Sequence, residues 1–458
     1  MVLSIFMWIP LIVILIATGW VPLRRFAHLY PLERVGTSFV LGATLLPFLF
    51  FLLRSLTHIA LFGSVSASIL MIFLFLGSIL VFWFSKNQVY TLFVRPSRHH
   101  AKLPRILWWI LILCLFIFIG DVIYGLTQPI FGWDEYSFWL YAAKIITIHH
   151  GSTTAMLKDA YNTYPLGFPY LIAISYQWIG SISVTTAKIV SAWLTLFMLI
   201  SLYSLLRRLG ISSLLSMLAL TITVFGSQIF LWYNFLAFGE MAYVDTYVLG
   251  VFYLVAYLEQ STLADLMIAG MLLGLSCFLR VDGIYIAFFT LVLALFFTKT
   301  KVWKSLLTKK TIGSFVAYTL PPILVWQAFL QVFHTHGWTT RITVREITSR
   351  LAPHFLTTML FAIWNTISNV SIYPIMIAFA VLLLGQIFWR RRSTGFLTLL
   401  VVAQISYLFV AYLTVFSAFE ALHASSMDRY LLRIDPLIAV AFILWIGLAS
   451  PRNQNDAK

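Results

Sequence analysis

Apolar stretches recur from one end of this sequence to the other, each separated from the next by a short polar connection. A run of roughly 17–25 apolar residues is what a helix needs to cross a hydrocarbon core. A chain built of such runs has a bilayer as its solvent. We read spans near 3–20, 36–53, 66–84, 105–125, 186–206, 213–236, 242–258, 263–280, 283–298, 312–333, 372–389, 396–417 and 434–449. Charged residues make up 10% of the chain and the mean hydropathy is +0.94, whereas a soluble globular domain carries about 25% charged residues. Alternating strand patterns are absent, so helices satisfy the backbone in lipid. The expected fold class is an all-α polytopic membrane protein of about thirteen transmembrane helices, with a large outer loop carrying interfacial helices.

A net charge of +15 would point to nucleic acid in a soluble protein. Here Lys and Arg collect in short loops, where they orient the chain, and no nucleic-acid partner is expected. The clusters are Arg24, Arg25 and Arg34; Lys86 through Arg105; Arg207 and Arg208; Lys299 through Lys310; and Arg390 to Arg392. An N-terminus on the outside puts all of them on the cytoplasmic side, which predicts that 126–185 lies outside and 299–311 inside. Cys114 and Cys277 fall in apolar runs and read as core filler. The run from Leu3 lacks a basic leader and reads as a first span. Segments 166–180 and 355–370 read as re-entrant or interfacial helices, and residues 450–458 as a disordered tail.

Most of the scarce acid then faces outward: Asp134, Glu135, Asp159, Glu240, Glu346, Glu420 and Asp428, with Asp245 just inside a span. The pair in FGWDEYSFWLYAAKIITIHHG (131–151) stands out. A lone acid at a membrane interface often only meets headgroups or caps a helix. Three features weigh against that for Asp134 and Glu135. Adjacent residues on a helix diverge by about 100°, so the two acids face different surroundings. TYPLGFPY (163–170) follows as a rigid turn. Asp245 lies within MAYVDTYVLGVFYL, and ionisable groups inside spans are functional candidates by default.

The order of these segments resembles bacterial members of the GT-C superfamily, integral-membrane glycosyltransferases that use polyprenyl-phosphate sugars. It is most similar to the branch of protein mannosyltransferases and the aminoarabinose transferase of lipid A. The stretches that carry the resemblance are WDEYSFWLYAAKI, YPLGFPYLIAISYQWIG, AKIVSAWLTLFMLISLYSLLRRLG, GEMAYVDTYVLGVFYL and DRYLLRIDPLIAVAFIL. It covers roughly residues 105–449, leaving 1–104 as extra N-terminal transmembrane helices. Two features depart from the family: the acidic loop usually follows the first span, whereas three extra spans precede it here, and YPLGFP stands where relatives more often have paired prolines.

The resemblance implies a multi-pass cell-membrane enzyme of the cell envelope. It would move a sugar, hexose or pentose, from a polyprenyl-phosphate donor to a hydroxyl on a glycan, lipid or protein acceptor outside the membrane. Phosphate leaves as an anion without a general acid, while the acceptor hydroxyl needs a carboxylate base. The leaving phosphate needs cations, best supplied by arginine forks. A single base opposite the leaving group predicts inversion. Asp134 matches the family's acidic position and is the expected base, with Glu135 the second candidate. Expected substrate-binding residues are Asp245, Arg280, Arg341, Arg345, Arg429, Tyr164 and Lys144, with Arg433 a further outward cation. Against these readings stand snorkelling for Arg280, solvated loop charge for Arg341 and Arg345, and belt or core packing for Trp133, Trp139, Tyr161 and Tyr164. Lys144 lies about 80° around an ideal helix from Asp134. His149 and His150 point apart with no further ligand at metal spacing, so no metal ligand set is assigned there. A divalent cation, Mg or Mn, held by Asp134 and Asp245 is chemically admissible.

The alternative from another class is a transporter or flippase of lipid-linked sugars. Such proteins tend to show two hydropathy-related halves and acids near the midplane, neither of which is visible here. A hydrolase or polymerase acting on lipid-linked glycans shares most of these features.

Overall fold

The structure, a computed structural model, describes residues 2–57, 61–62, 65–85, 105–130, 134–152, 164–234, 236–280, 282–298, 309–332, 343–388, 392–424 and 426–449. Among them there is no strand. The first half contains α1 (Val2–Leu23), α2 (Pro31–Thr57), α3 (Val65–Phe84), α4 (Arg105–Thr127), a π-helical turn (Glu135–Trp139) leading into α5 (Leu140–Ile148), α6 (Gly167–Ile179), α7 (Val184–Arg208), α8 (Ser213–Phe225) and α9 (Gln228–Tyr233). The second half contains α10 (Gly239–Gln260), α11 (Leu263–Ser276), α12 (Gly283–Phe297), α13 (Lys309–Val332), α14 (Val344–Arg350), α15 (Pro353–Ile367), α16 (Ile375–Phe388), α17 (Arg392–Thr414), α18 (Ala418–His423), α19 (Met427–Leu431) and α20 (Ile434–Ala449).

Among the described residues, six stretches are long and apolar enough to cross a membrane: Pro31–Thr57, Val184–Arg208, Gly239–Gln260, Phe315–Val332, Arg392–Thr414 and Met427–Gly447. Shorter apolar helices occupy the remaining expected spans, so the chain is an all-helical, multi-pass membrane protein. One expected span, 213–236, is broken. After α8 the chain turns at Gly226, and Ser227 caps α9 by accepting the Phe230 N–H at 3.0 Å. Backbone bonds from Gln228 to Ile372 and from Ile375 to Gly226 knit this break to the turn before α16. The expected span 263–280 ends as helix at Ser276, and residues 277–279 form turns that deliver Arg280 to the bundle's end. Segments 166–180 and 355–370 both form helices, the first buried against α2, α5 and α7, the second largely exposed.

The core is organised around α10, whose spanning stretch is wholly buried and packs against α7, α11, α12 and α17. The N-terminal helices belong to the same body. α2 packs against α1, α6, α7 and α11. α1 and α2 approach so closely that a Cβ on Gly19 or Gly42 would overlap the other helix's backbone, the close small-residue crossing that helices use in lipid.

Among the described residues, clusters of paired charges lie at the two ends of α10. From Glu240 to Gln260 the helix rises about 30 Å, the thickness of a hydrocarbon core. At the Gln260 end, Arg208 reaches Gln260 (2.8 Å), Glu33 (3.0 Å) and Asp265 (2.7 Å). His28 closes that group on Asp265 at 3.0 Å. At the Glu240 end lies a larger cluster.

Candidate active site

The cluster begins where α5 is entered through a π-helical turn. Such turns use wider i→i+5 bonding and recur at functional sites. Trp139, at its end, lies flat against the start of α10, because Gly239 has no side chain where a Cβ would stand 2.5 Å from the indole. Trp139 and Phe138 also pack on Tyr164, whose ring centroid is 4.8 Å from that of Phe138. This aromatic packing fixes the rotation of the turn, and with it the two acids. Glu135 turns inward and is fully buried. Its Oε1 accepts the Ala237 N–H at 3.1 Å and stands 4.0 Å from Lys188 Nζ. Lys188, itself buried, donates to the carbonyls of Gly125, Gln128 and Pro129. One lysine therefore balances Glu135 and holds the end of α4 against α7.

Asp134 turns the other way. Its carboxylate accepts a hydrogen bond from Arg429 on α19. Arg429 also lies 3.8 Å from Glu240, over the Phe238 ring, and bonds with Tyr233. From there charges alternate across the bundle. Glu240 pairs with Arg280 at 3.2 Å, and Arg280 pairs in turn with Asp282. Asp282 receives Arg433 at 3.1 Å. Arg433 ends the series on Gln404 at 2.8 Å. Tyr430 lies between two of the guanidiniums, its ring 4.7 Å from Arg280 and 5.1 Å from Arg433. Arg280, Arg429 and Arg433 thus face Asp134, Glu240 and Asp282, three charges of each sign.

The links differ in how readily they exchange. Arg433 and Asp282 are only 2% and 12% exposed, whereas Arg429 and Asp134 are 25% and 28% exposed. Breaking a buried pair costs about 3–5 kcal/mol because a charge is stranded, while exposed pairs contribute about 0–1 kcal/mol. The Asp134–Arg429 link is therefore the one that an incoming anion can open. Burial alone would push the Asp282 carboxyl up, but Arg280 and Arg433 hold it below the ordinary carboxylate value. Tyr164, beside the same charges, is driven above its usual value by burial.

The structure brings Asp134, Arg280, Arg429 and Tyr164 to one place, with Arg433. Glu135 adjoins them but faces Lys188. Lys144, expected as a substrate-binding residue poorly aligned with Asp134, stands exposed on α5, and the partner of Asp134 is Arg429. Arg345 is likewise exposed, on α14. The Thr343–Glu346 capping box orders that helix, and its buried cation is Arg350, which bonds to the carbonyls of Tyr412, Leu413 and Phe416. Asp245 is fully buried and bonds to Thr195 of α7 at 2.9 Å, so it joins two helices rather than the cluster. Asp134 and Asp245 have separate partners, Arg429 for the first and Thr195 for the second. His150 bonds through Nδ1 to the Phe62 carbonyl at 2.5 Å. Trp133, Tyr161, Arg341, the basic loops 86–104 and 299–308 and residues 450–458 lie outside the described residues. Sequence reading missed the parts played by Lys188, Asp282 and Gln404. A lone lysine in the first turn of a span was a signal in plain view.

No protein-family model and no curated protein sequence matches the chain. Among solved structures it is similar to the crystal structure of ArnT from Cupriavidus metallidurans in the apo state, at 13% identity and a TM-score of 0.48. The match covers 77% of this chain, which spans 62% of that one.

Because the Asp282 pKa is depressed in the folded protein, its contribution to stability is present above the unfolded value of about 3.9 and is lost as pH falls through the folded value. Asp282→Asn should therefore lower the Tm of the purified protein at neutral pH, and the gap to wild type should narrow below about pH 4. Thermal unfolding across pH checks this; a gap that stays constant into acid would contradict the assignment.

Proposed function

We propose that the protein transfers a sugar from a polyprenyl-phosphate donor to a hydroxyl acceptor at the outer face of the membrane, with Asp134 as general base and Arg429 as the principal cation for phosphate. One observation carries this reading: the carboxylate at the position resembling the GT-C acidic residue is paired with an arginine from the DRYLLR stretch, at the bundle end and accessible to solvent. Arginine forks suit phosphate oxygens. When the donor phosphate takes up Arg429, Asp134 is released to accept the proton of the acceptor hydroxyl. The hydroxyl oxygen attacks the anomeric carbon, the bond to the phosphate oxygen breaks, and the departing phosphate keeps its electron pair against Arg429 and Arg280. With one base and no covalent intermediate, the anomeric configuration inverts. Glu135, balanced by Lys188, supports the turn that aims Asp134.

This chemistry needs no ion gradient, and the accessible acid stands at the bundle's end, which favours transfer over transport. The same reading puts the cluster outside the cell, since Arg24, Arg25, Arg207 and Arg208 gather toward the opposite end.

Asp134→Asn preserves shape and cannot take the proton, so turnover with labelled polyprenyl-phosphate sugar should fall by at least about 10² with donor binding retained. Arg429→Ala should instead weaken donor binding, and Glu135→Gln should act mainly on stability. Normal transfer by Asp134→Asn would remove it from the chemistry. For orientation, cysteines introduced at Ser368 and Ser261 should react with an impermeant reagent from outside and inside respectively; labelling of both from one side would reverse or dismantle the topology.

A further inference from the structure

Next to the charged cluster the structure contains a second recognition surface of different character. A cavity of about 370 Å³ opens between the end of α15, the turn before α16 and the α18–α19 connection. That volume is at the lower end of the range of about 300–1,000 Å³ typical of small-molecule sites. Its wall includes Asn365, Thr366, Asn369, Tyr373, His423 and Asp428. None of its described lining residues is Lys or Arg, although Arg429 of the cluster follows Asp428 in the sequence.

The hydrogen-bonding groups have defined orientations. Asp428 Oδ1 accepts from the Tyr373 hydroxyl, which leaves Oδ2 as an acceptor for a ligand. His423 Nδ1 lies 2.9 Å from the Phe419 carbonyl. That carbonyl can only accept, so Nδ1 carries the proton and the neutral ring's Nε2 offers a lone pair. The Asn369 side-chain oxygen is engaged by Ser371 at 2.5 Å, so its amide N–H groups remain to donate. The cavity therefore pairs acceptors on the α18–α19 side with amide donors on the α15 side. Vicinal hydroxyls, each both donor and acceptor, match such a wall. A phosphate or carboxylate does not, because it would face the Asp428 charge with no cation to balance it. The connection that shapes this wall holds two non-glycine residues at positive φ, Ala424 at 49° and Ser426 at 68°, a costly backbone of the kind that clusters at ligand sites.

We infer that this cavity binds a neutral polyhydroxyl compound, a sugar ring or polyol, and that it is the acceptor's subsite. The second half of the inference rests on the transfer reading; the first half does not. Asp428 of the cavity and Arg429 of the cluster are consecutive residues of α19, and Tyr233 bonds to Arg429 while feeling the charge of Asp428. The charge pattern then divides the two substrates: the anionic donor goes to the arginines, and the uncharged acceptor goes to the amides and Asp428.

The test is direct binding by saturation-transfer NMR, with the full chain in lipid nanodiscs free of sugar-headed detergent. The probes are the methyl glycosides of glucose, galactose and mannose, with glucose 6-phosphate as the charged control. At least one glycoside should bind saturably, an equimolar amount of glucose 6-phosphate should leave the glycoside bound, and the exposed-residue variants Asn365→Leu and Asn369→Leu should each weaken glycoside binding about tenfold. No binding by any glycoside, displacement of the glycoside by equimolar glucose 6-phosphate, or wild-type affinity in both variants would overturn the proposal. Adding a monoglucosyl diacylglycerol to the nanodiscs separates the sources: competition with the glycoside assigns a glycolipid headgroup, and undisturbed binding assigns a free glycan, the cavity's ligand class standing in both cases. Glycoside binding by a protein that shows no transfer would remove the acceptor role and keep the site.

Discussion

Charge at the end of an apolar helix bundle has to be neutralised where it stands, because little water is there to do it. That constraint organises this protein's candidate active site. The link on which the rest depends is the contact between Asp134 and Arg429. Asp134 belongs to the turn that enters α5, Arg429 to the short helix before the last span, and their contact joins segments 295 residues apart. Behind it, Glu240, Arg280, Asp282 and Arg433 alternate in sign as far as Gln404. Each deeper link is less exposed than the first, so the series is fixed at one end and exchangeable at the other. A fixed set of guanidiniums awaiting an anion is a preorganised electrostatic site. In the proposed reaction, the Asp134 carboxylate on the outermost guanidinium balances that site until a donor phosphate takes its place.

The opposite end of α10 follows the same rule with a different result. Arg208 is gripped by Glu33 and Asp265 and closed by His28, joining the α1–α2 connection, α7 and α11. Glu33 and Asp265 are fully buried and Arg208 nearly so, so this group behaves as a structural lock. The exposure of the partners, more than their chemistry, separates a lock from a site here.

Much of this was legible before any coordinates. The spans follow from hydropathy and length alone, since the bilayer imposes one helix length on every segment. The acidic pair was conspicuous for its setting, and Arg280, Arg429 and Arg433 were candidates as the few outward cations. The rest depends on three-dimensional facts that a linear pattern does not carry. An ideal helix puts Lys144 about 80° from Asp134, and the partner the fold supplies, Arg429, comes from a segment 295 residues away. Asp245 and Asp282 look alike as lone acids near apolar segments, yet one ties α10 to α7 and the other anchors two arginines. Arg345 and Arg350 share one short helix, and only packing shows that the second is the buried one.

The central claim is that donor phosphate and Asp134 compete for Arg429. The most direct measurement is an experimental structure of the protein with a polyprenyl phosphate bound. The account predicts phosphate density on the Arg429 guanidinium, within reach of Arg280, with the Asp134 carboxylate released toward the acceptor side and the Arg433–Asp282 link unchanged. Phosphate bound elsewhere, with the Asp134–Arg429 pair intact, would contradict it.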